Sequence, residues 1–223
     1  IFDIGGETTR PSAAPVPAEE ELARVLPLIK EVRKAWPQIP VSLDTVKIPV
    51  ALEGLKAGVS IINDVSGTPD KEMFKIVKDF NAKIVVMHTR GTPQTMQTMT
   101  EYKDLLGEIK EFLARKIDEA VSCGIAKQNV IIDVGFGFAK TREQNYELLK
   151  HLSFFKDLGV QMLVGLSRKT FLAQKRELPP KRKAQTLAAN LVALQGGADI
   201  LRVHDVKDTR KIMDFYQELQ GAK

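Results

Sequence analysis

Short apolar runs alternate with longer amphipathic stretches along this chain. Each run is rich in Val, Ile and Leu and is apolar on both of its alternating faces, which is typical of parallel strands buried on two sides. The stretches between the runs place apolar residues at helical spacing, as Leu22, Val25 and Ile29 do in the first one. The pattern predicts strands over 1–4, 41–44, 59–64, 83–88, 130–134, 161–166 and 199–204.

A helix is predicted after each strand. The first begins near Pro17, with a run of Glu in its first turn that suits the helix dipole. No Pro- or Gly-rich linker and no shift of composition interrupts the strand–helix repeat, so we expect one α/β domain over 1–223. The later helices are predicted near 47–57, 70–80, 101–123, 141–156, 184–197 and 208–219.

The number of repeats indicates the architecture. A closed βα barrel needs eight units and typically about 250 residues, whereas seven strand–helix units are visible in this chain. The chain opens on Ile1 directly inside a strand. We therefore expect a TIM (βα)8 barrel that lacks its first βα unit. An intact open sheet of seven strands, doubly wound by helices, is the competing prediction.

Composition narrows the possible classes of protein. The lone cysteine, Cys123, excludes an internal disulfide framework and a cysteine metal cluster. The apolar runs are far shorter than the roughly 20 residues that cross a bilayer, and no signal-peptide pattern is present. We therefore expect a cytoplasmic location and no membrane partner. The net charge of +5 permits an anionic partner, although Lys and Arg are mostly interleaved with Glu, as on solvated helix faces.

Polar or glycine residues follow every predicted strand. The carboxyl ends of barrel strands all open at one mouth, where the loops build the site. One Asp after a strand is more often a helix cap or a turn residue, but polar ends on all seven strands predict a common pocket. The ends carry Asp3, Asp44, Asn63 and Asp64, His88, Asp133, Arg168 and Lys169, and finally Arg202 and His204.

These side chains form two chemical groups. Asp44, Asn63 and Asp133 offer carboxylate and amide edges, which suit a flat heterocycle with adjacent N–H donors and a carbonyl. The second group is cationic and suits phosphate oxygens; within it, a strand through 199–204 would place Arg202 and His204 on one face. No G-x-S-x-G elbow is present, so covalent catalysis is not indicated. The cationic group is Arg10, Arg168, Lys169, Arg202 and His204.

Seven motifs at these strand ends, in this order, resemble those of the dihydropteroate synthase family, the folate-pathway enzymes inhibited by sulfonamides. The resemblance spans the whole chain, and a series of seven motifs is far more specific than any one of them. The motifs are "DIGGETTRP" from 3, "SLDT" from 42, "INDVSG" from 62, "MHTRG" from 87, "DVGFGFAK" from 133, "GLSRKTF" from 165 and "RVHDV" from 202.

The resemblance implies an activity. The family joins 6-hydroxymethyl-7,8-dihydropterin pyrophosphate to p-aminobenzoate and releases 7,8-dihydropteroate and pyrophosphate. It implies an SN1-like path, in which the C–O bond to pyrophosphate loosens before the aniline nitrogen attacks. Mg2+ is the implied cofactor, with its ligand in an "NVTPDSF"-like segment that this sequence does not contain. The implied partners are these small-molecule substrates and a second copy in a homodimer, with no nucleic acid.

The resemblance also implies roles for individual residues. The pterin-binding positions match Asp44, Asn63, Asp133 and Lys169. The pyrophosphate-binding positions match Arg202 and His204. The positions expected to carry catalysis are Lys169, Asp133, Arg202 and His204. The p-aminobenzoate-binding positions match Thr9, Arg10 and Pro11, in a loop expected to close over the substrate, and Phe138, Lys169 and Thr170 in the pocket wall.

Two other functions stay open on the sequence alone. A methyltransferase that delivers methyltetrahydrofolate to a corrinoid protein would share the barrel and the pterin acids, but it has less reason for the cationic group. A nucleic-acid-binding protein is suggested by the pI near 9.2. It is disfavoured because the sequence shows no surface stripe of interleaved aromatic and basic residues.

Overall fold

The strands form one parallel sheet. The structure is a computed structural model that describes residues 1–10, 13–173 and 178–222. Neighbouring strands pair in chain order, from the first to the seventh, and every pair is parallel. The strands are β1 Phe2–Gly5, β2 Val41–Asp44, β3 Ile61–Asp64, β4 Lys83–Met87, β5 Val130–Asp133, β6 Gln161–Val164 and β7 Ile200–Leu201.

Helices follow the strands, as the pattern predicts. The α-helices are α1 Ala18–Ala35, α2 Ile48–Lys56, α3 Lys71–Asp79, α4 Leu105–Ser122, α5 Arg142–Lys150, α6 Lys183–Gln195 and α7 Val206–Gly221. Short 3-10 segments lie at Met96–Thr98, Lys127–Asn129, Leu152–Leu158, Thr170–Leu172 and Pro179–Arg182.

The order of the strands decides between the two architectures. A doubly wound sheet reverses its strand order at a switch point, whereas this sheet runs in strict chain order. The doubly wound alternative is therefore wrong. The sheet curls into a half-barrel: the Arg202 side chain, just beyond β7, reaches Asp3 in β1. Within the described part of the chain, β1 and β7 form the two outer edges and share no ladder.

Two apolar layers hold the sheet in place. The larger one packs the outer face of the strands against the helices and contains fully buried side chains such as Leu43, Phe74 and Ile132. The smaller one lies on the inner face of the curled sheet, where Ile61, Val85, Ile131 and Leu163 pack together with Ile200. This inner layer forms the floor below the strand ends, as expected inside a barrel.

The end of the last strand differs from the prediction. A strand through 199–204 was expected, but β7 contains only Ile200 and Leu201, both half-buried. The backbone N–H of Arg202 still bonds to the Val164 carbonyl, at 2.9 Å, and the chain then leaves the sheet. Because β7 pairs only with β6, nothing on its other side extends the ladder. Arg202 and His204 therefore lie on the loop after β7, and the prediction of one strand face is wrong.

Two helix boundaries also differ. The helix expected over 101–123 begins at Leu105, because the Asp104 side chain accepts the Gly107 N–H at 3.0 Å and caps the helix there. The helix expected over 141–156 ends at Lys150 and is followed by the 3-10 segment Leu152–Leu158. No helix in the described ranges is both long enough and apolar enough to span a membrane.

The outer core should dominate stability. Phe74 in α3 is fully buried, whereas Phe80 at the end of the same helix is 42% exposed. We expect Phe74→Ala to lower the free energy of unfolding by about 3–5 kcal/mol, because it leaves a cavity in the core. The matched Phe80→Ala variant should change it by only about 0.5 kcal/mol. Urea denaturation measures both, and equal losses would contradict this account of the core.

Candidate active site

The predicted pterin residues form a polar layer directly above the inner apolar layer. Alternate strand residues share a face, so Asn63 and Asp133 lie two positions beyond Ile61 and Ile131 on the inner face. Asp44 is paired in register with Asn63. Asn63 and Asp133 are only 2% and 8% exposed. The register pairs Asp44 with Asn63, and Asn63 and Asp133 each follow a residue of the inner apolar layer, so all three side chains lie on the inner face at the mouth of the half-barrel.

Asp133 lies at the carboxyl end of β5. One of its oxygens, Oδ1, accepts the backbone N–H of Gly135 at 2.7 Å. Burial raises the pKa of the Asp133 carboxyl, and the positive charge of Lys169 opposes that shift. The backbone bond fixes the carboxylate in orientation, which leaves its second oxygen for an N–H donor of a bound ligand.

Lys169 points at the same loop from the β6 side. Its Nζ donates to the Phe136 carbonyl oxygen and lies 4.8 Å from the centre of the Phe138 ring. Burial lowers the pKa of Lys169 to about 8, although the Asp133 carboxylate works in the opposite direction. The Lys169 ammonium thus lies near the Asp133 carboxylate, the Phe136 carbonyl and the Phe138 ring. These surroundings suit contact with a flat heterocycle.

Arg202 joins the two edges of the sheet. Its Nε donates to Oδ2 of Asp3 at 2.5 Å, and a terminal nitrogen donates to Oδ2 of Asp44 at 2.6 Å. Burial raises the pKa of Asp44 to about 7, although the Arg202 guanidinium lowers it. The sequence places Asp44 in the pterin group and Arg202 in the anion group, and the structure brings these two groups into direct contact.

His204 lies at the exposed rim of the same mouth. Its Nδ1 is 2.8 Å from the Ser167 hydroxyl, which also accepts the His204 backbone N–H at 3.2 Å. Partial burial lowers the pKa of His204, as do the positive charges of Arg168, Arg202 and Arg10. Cations on three loops therefore act on the imidazole, and the Asp205 carboxylate opposes them; an excess of positive charge of this kind favours an anionic ligand.

The predicted p-aminobenzoate positions are only partly assembled. Phe138 and Thr170 flank Lys169, the former through the ring contact and the latter as the next residue, which begins a 3-10 segment. Thr9 is half-buried and Arg10 is exposed on the loop after β1. Pro11 lies outside the described residues. Phe138 and Thr170 thus lie next to Lys169, whereas Thr9 and Arg10 lie on the loop after β1.

Arg168 does not join the anion group as the sequence predicts. Its guanidinium makes two hydrogen bonds to the Asp205 carboxylate, at 3.2 and 2.8 Å. A bidentate pair of this kind holds two of the five guanidinium donors on a carboxylate of the same chain. Arg168 therefore braces the loop after β7 against the loop after β6, while it contributes positive charge to the rim.

Sequence reasoning missed two groups that hold the site loops. Lys140 is buried below the loop after β5 and contacts His88, to which the sequence assigns no role. Glu7 accepts both the Val16 N–H, at 2.7 Å, and the Lys47 ammonium, at 2.5 Å, and so ties the two ends of the loop after β1. The motifs "GGETTRP" and "GFGFAK" contain Glu7 and Lys140, but nothing in them indicates burial.

The Asp44 environment predicts a pH effect on stability. The pKa of Asp44 is raised from 3.8 to about 7 in the folded protein, so the native state holds this proton more tightly than the unfolded chain. Asp44 therefore reduces stability as pH rises from about 4 to about 7. Asp44→Asn cannot titrate, and we expect the free energy of unfolding of the variant, relative to the original chain, to increase over this range.

Urea denaturation across that pH range measures the difference. The control is Asp79→Asn, which changes an aspartate whose side chain is 62% exposed. The difference in free energy of unfolding between Asp79→Asn and the original chain should stay nearly constant over this pH range. A constant difference between Asp44→Asn and the original chain would contradict the burial of a protonatable Asp44.

Comparison with known proteins identifies the family. The family model described as pterin binding enzyme matches residues 1–204. The dihydropteroate synthase of Synechocystis sp. is 44% identical over 215 residues, which are 95% of this chain and 74% of that protein. Two crystal structures of Xanthomonas albilineans dihydropteroate synthase are also similar, and each match covers 99% of this chain and 79% of the other.

The first of these structures contains 4-aminobenzoic acid and has a TM-score of 0.93 and 40% identity. The second contains 7,8-dihydropteroate and has a TM-score of 0.89 and 38% identity. The family model covers most of the chain, and the identities lie far above those of a similarity in fold alone. The chain therefore belongs to the family of pterin binding enzymes.

Proposed function

We propose that this protein is a dihydropteroate synthase, a transferase that joins 6-hydroxymethyl-7,8-dihydropterin pyrophosphate to p-aminobenzoate. The observation that carries the proposal is the position of buried Asp133 and half-buried Lys169 in one cluster, next to Arg202 at the rim. The coupling of their charges supports this, because Lys169 and Arg202 both lower the pKa of the Asp133 carboxyl. Relatives that are 44% and 37% identical are dihydropteroate synthases.

The buried layer suits the pterin. The aminopyrimidine edge of a pterin carries adjacent N–H donors and a carbonyl, which match carboxylate and amide side chains. Asp133 presents a carboxylate fixed by Gly135, and Asn63 presents an amide from the same inner face. The apolar floor below them, formed by Ile61, Val85 and Ile131 among others, lets a flat ring bury its faces while its edge is hydrogen-bonded.

The rim suits the pyrophosphate. A guanidinium has five N–H donors, and Arg202 directs one to Asp3 and one to Asp44. We expect its other donors to bind a phosphate group as a third partner. His204 adds a neutral or cationic donor beside it. A departing pyrophosphate develops negative charge, and donors fixed in advance stabilise such charge without reorganisation.

The reaction needs little more than these parts. The C–O bond between the pterin methylene and pyrophosphate breaks, the aniline nitrogen of p-aminobenzoate forms the new C–N bond, and that nitrogen then loses a proton. Phe138 and Thr170, next to Lys169, provide a wall for the aromatic amine, and the loop with Thr9, Arg10 and Pro11 would cover it. Catalysis here is positioning of two substrates together with electrostatic stabilisation of the leaving group.

Mg2+ remains an expectation from the family resemblance. No group of three or more His, Cys, Asp or Glu side chains in the described ranges could hold a metal ion. Two acids at the mouth, Asp3 and Asp44, are both bound to Arg202. The residues present do not supply a magnesium site, so we assign no step of the reaction to the metal.

Three further features belong to the proposal. The open gap between β1 and β7 supports a barrel in which one βα unit, the first by the family pattern, is not part of this chain. A homodimer is supported by apolar side chains on the outside of α7, where Phe215 is 57% and Leu219 is 52% exposed. The cytoplasm is the location where the folate-pathway substrates of such an enzyme would be expected.

The methyltransferase alternative is not favoured, because the relatives described above are dihydropteroate synthases and the rim contains Arg202 and His204. A thermal-shift measurement separates the two functions. Pyrophosphate should raise the melting temperature of this protein, because it binds the folded state. Stabilisation by methyltetrahydrofolate without any effect of pyrophosphate would favour the methyltransferase.

Product formation tests the proposal directly. Incubation of the protein with dihydropterin pyrophosphate and p-aminobenzoate should yield 7,8-dihydropteroate and pyrophosphate, which mass spectrometry of the mixture detects. The same chain carrying Lys169→Ala should lose most of this activity, by about a hundredfold or more. Absence of product from the original chain, together with no binding of either substrate, would overturn the proposed function.

Two variants separate the halves of the site. Asp133→Asn should weaken pterin binding sharply, because the amide NH2 would face the N–H donors of the ring. Arg202→Ala should mainly weaken pyrophosphate binding. Calorimetry measures both affinities, with Asp157→Asn and Arg210→Ala as controls on exposed positions of the same residue types. Unchanged affinities in both site variants would contradict the assignment.

A further inference from the structure

We propose that Lys140 is a positioning residue of this site, which holds the turn 135–138 in place from below and supplies a buried positive charge to Asp133. The inference rests on the proposed function, because it concerns how the same site binds a pterin. Lys140 would not touch the substrate. It would act through the backbone of the turn, which contacts both Asp133 and Lys169.

The three hydrogens of the Lys140 ammonium have three acceptors. Lys140 is only 4% exposed. Its Nζ lies 3.0 Å from the Gly135 carbonyl oxygen, 3.0 Å from the Phe138 carbonyl oxygen and 3.1 Å from Nδ1 of His88. An ammonium has three donors and no acceptor, so this geometry satisfies it completely. A buried lysine costs free energy unless it is paired in this way, which indicates a specific role.

The turn that Lys140 holds is also the turn that orients the site. The Gly135 N–H donates to Asp133 at 2.7 Å, and the Phe136 carbonyl accepts from Lys169. Lys140 binds the carbonyl of the same Gly135 and that of Phe138. The orientation of both site residues therefore depends on a backbone segment whose other side is bonded to Lys140.

His88 fixes the turn from the β4 side. Gly135 has a φ of +73°, and a Cβ on it would lie 1.9 Å from the backbone oxygen of His88, so the turn packs directly on β4. The His88 ring makes an edge contact with Phe112, with ring centres 5.1 Å apart. Burial, together with the nearby charges of Lys140 and Arg90, lowers the pKa of His88 to about 2. The neutral ring can therefore accept the Lys140 hydrogen at Nδ1.

The charges around Asp133 give Lys140 an electrostatic role as well. The cations that face Asp133 are Lys169, Lys140 and Arg202, and each lowers the pKa of its carboxyl against the effect of burial. Burial lowers the pKa of the Lys140 ammonium well below its usual range, Lys169 and Arg90 act in the same direction, and the Asp133 carboxylate opposes them. Removal of the Lys140 charge should leave Asp133 harder to ionise.

The test compares Lys140→Met with Lys116→Met. Lys116 is a matched control, because its Nζ also holds a loop carbonyl, that of Thr68 at 2.9 Å, and its side chain is 12% exposed. The measurements are the melting temperature and the affinity for 6-hydroxymethylpterin across pH, by calorimetry. Pterin binding needs an ionised Asp133 in this account, so affinity falls as pH falls through the pKa of that carboxyl.

We expect Lys140→Met to weaken pterin binding by about tenfold or more at neutral pH, because three buried acceptors lose their donor. The acid side of its binding profile should move to higher pH, because Asp133 loses a favourable charge. Lys116→Met should lower only the melting temperature. A merely structural Lys140 would likewise lower the melting temperature without moving the pH profile, and that result would overturn the inference.

A measurement on the unmutated chain makes the test independent of whether Lys140→Met folds. Nitrogen-15 NMR of labelled histidine should show His88 neutral from neutral pH to acid conditions, with its proton on Nε2. Titration of His88 near its ordinary pKa of 6.5, or a proton on Nδ1, would overturn the inference. The proposed function fails separately, if the unmutated chain neither binds the pterin nor makes the product.

Discussion

The alternation of side chains along the inner face of the curled sheet is the constraint on which the site depends. Ile61, Val85 and Ile131 form an apolar layer across neighbouring strands, and the residues two positions further on stand above it. A slip of one residue in any strand would exchange its inner and outer faces. The alternation along each strand therefore fixes both the apolar floor and the polar layer above it. A change in one layer would also move the other.

The acids of the polar layer are paired with cations. Arg202 binds Asp3 and Asp44, and the charges of Lys169, Lys140 and Arg202 all favour the ionised form of Asp133. Isolated buried charges would cost far more free energy than a domain can spare. Burial nevertheless raises the pKa of Asp44 and Asp133 and lowers that of Lys169. A ligand with its own donors and charges would relieve part of this cost.

Much of the fold follows from the sequence because its signal is local. Strand and helix positions, and the polar ends such as Asp44 and Asp133, can be identified from periodicity and from the residues that end each run. The errors lie where partners from distant parts of the chain decide the outcome. β7 ends early because it has a neighbour on only one side. Arg168 binds Asp205, 37 positions away, and nothing in "GLSRKTF" indicates that partner.

Lys140 illustrates the same limit more strongly. A lysine just before a helix ordinarily lies in solvent, and its burial here depends on His88, 52 positions earlier in the chain. The motif series, by contrast, carries information about the site that residue patterns alone do not. It assigns Lys169 to the pterin and Arg202 to the pyrophosphate, whereas the local pattern indicates only that both are cationic.

The large sequence separation between Arg202 and its two partners has a consequence for the synthesis of the protein. Its partners Asp3 and Asp44 precede it by 199 and 158 positions, so the rim is completed only when the last part of the chain has been synthesised. Contacts of such sequence separation form late and slowly, because a long loop must close before they contribute. A growing chain on the ribosome would therefore carry the apolar floor for some time while its two early carboxylates still lacked their arginine.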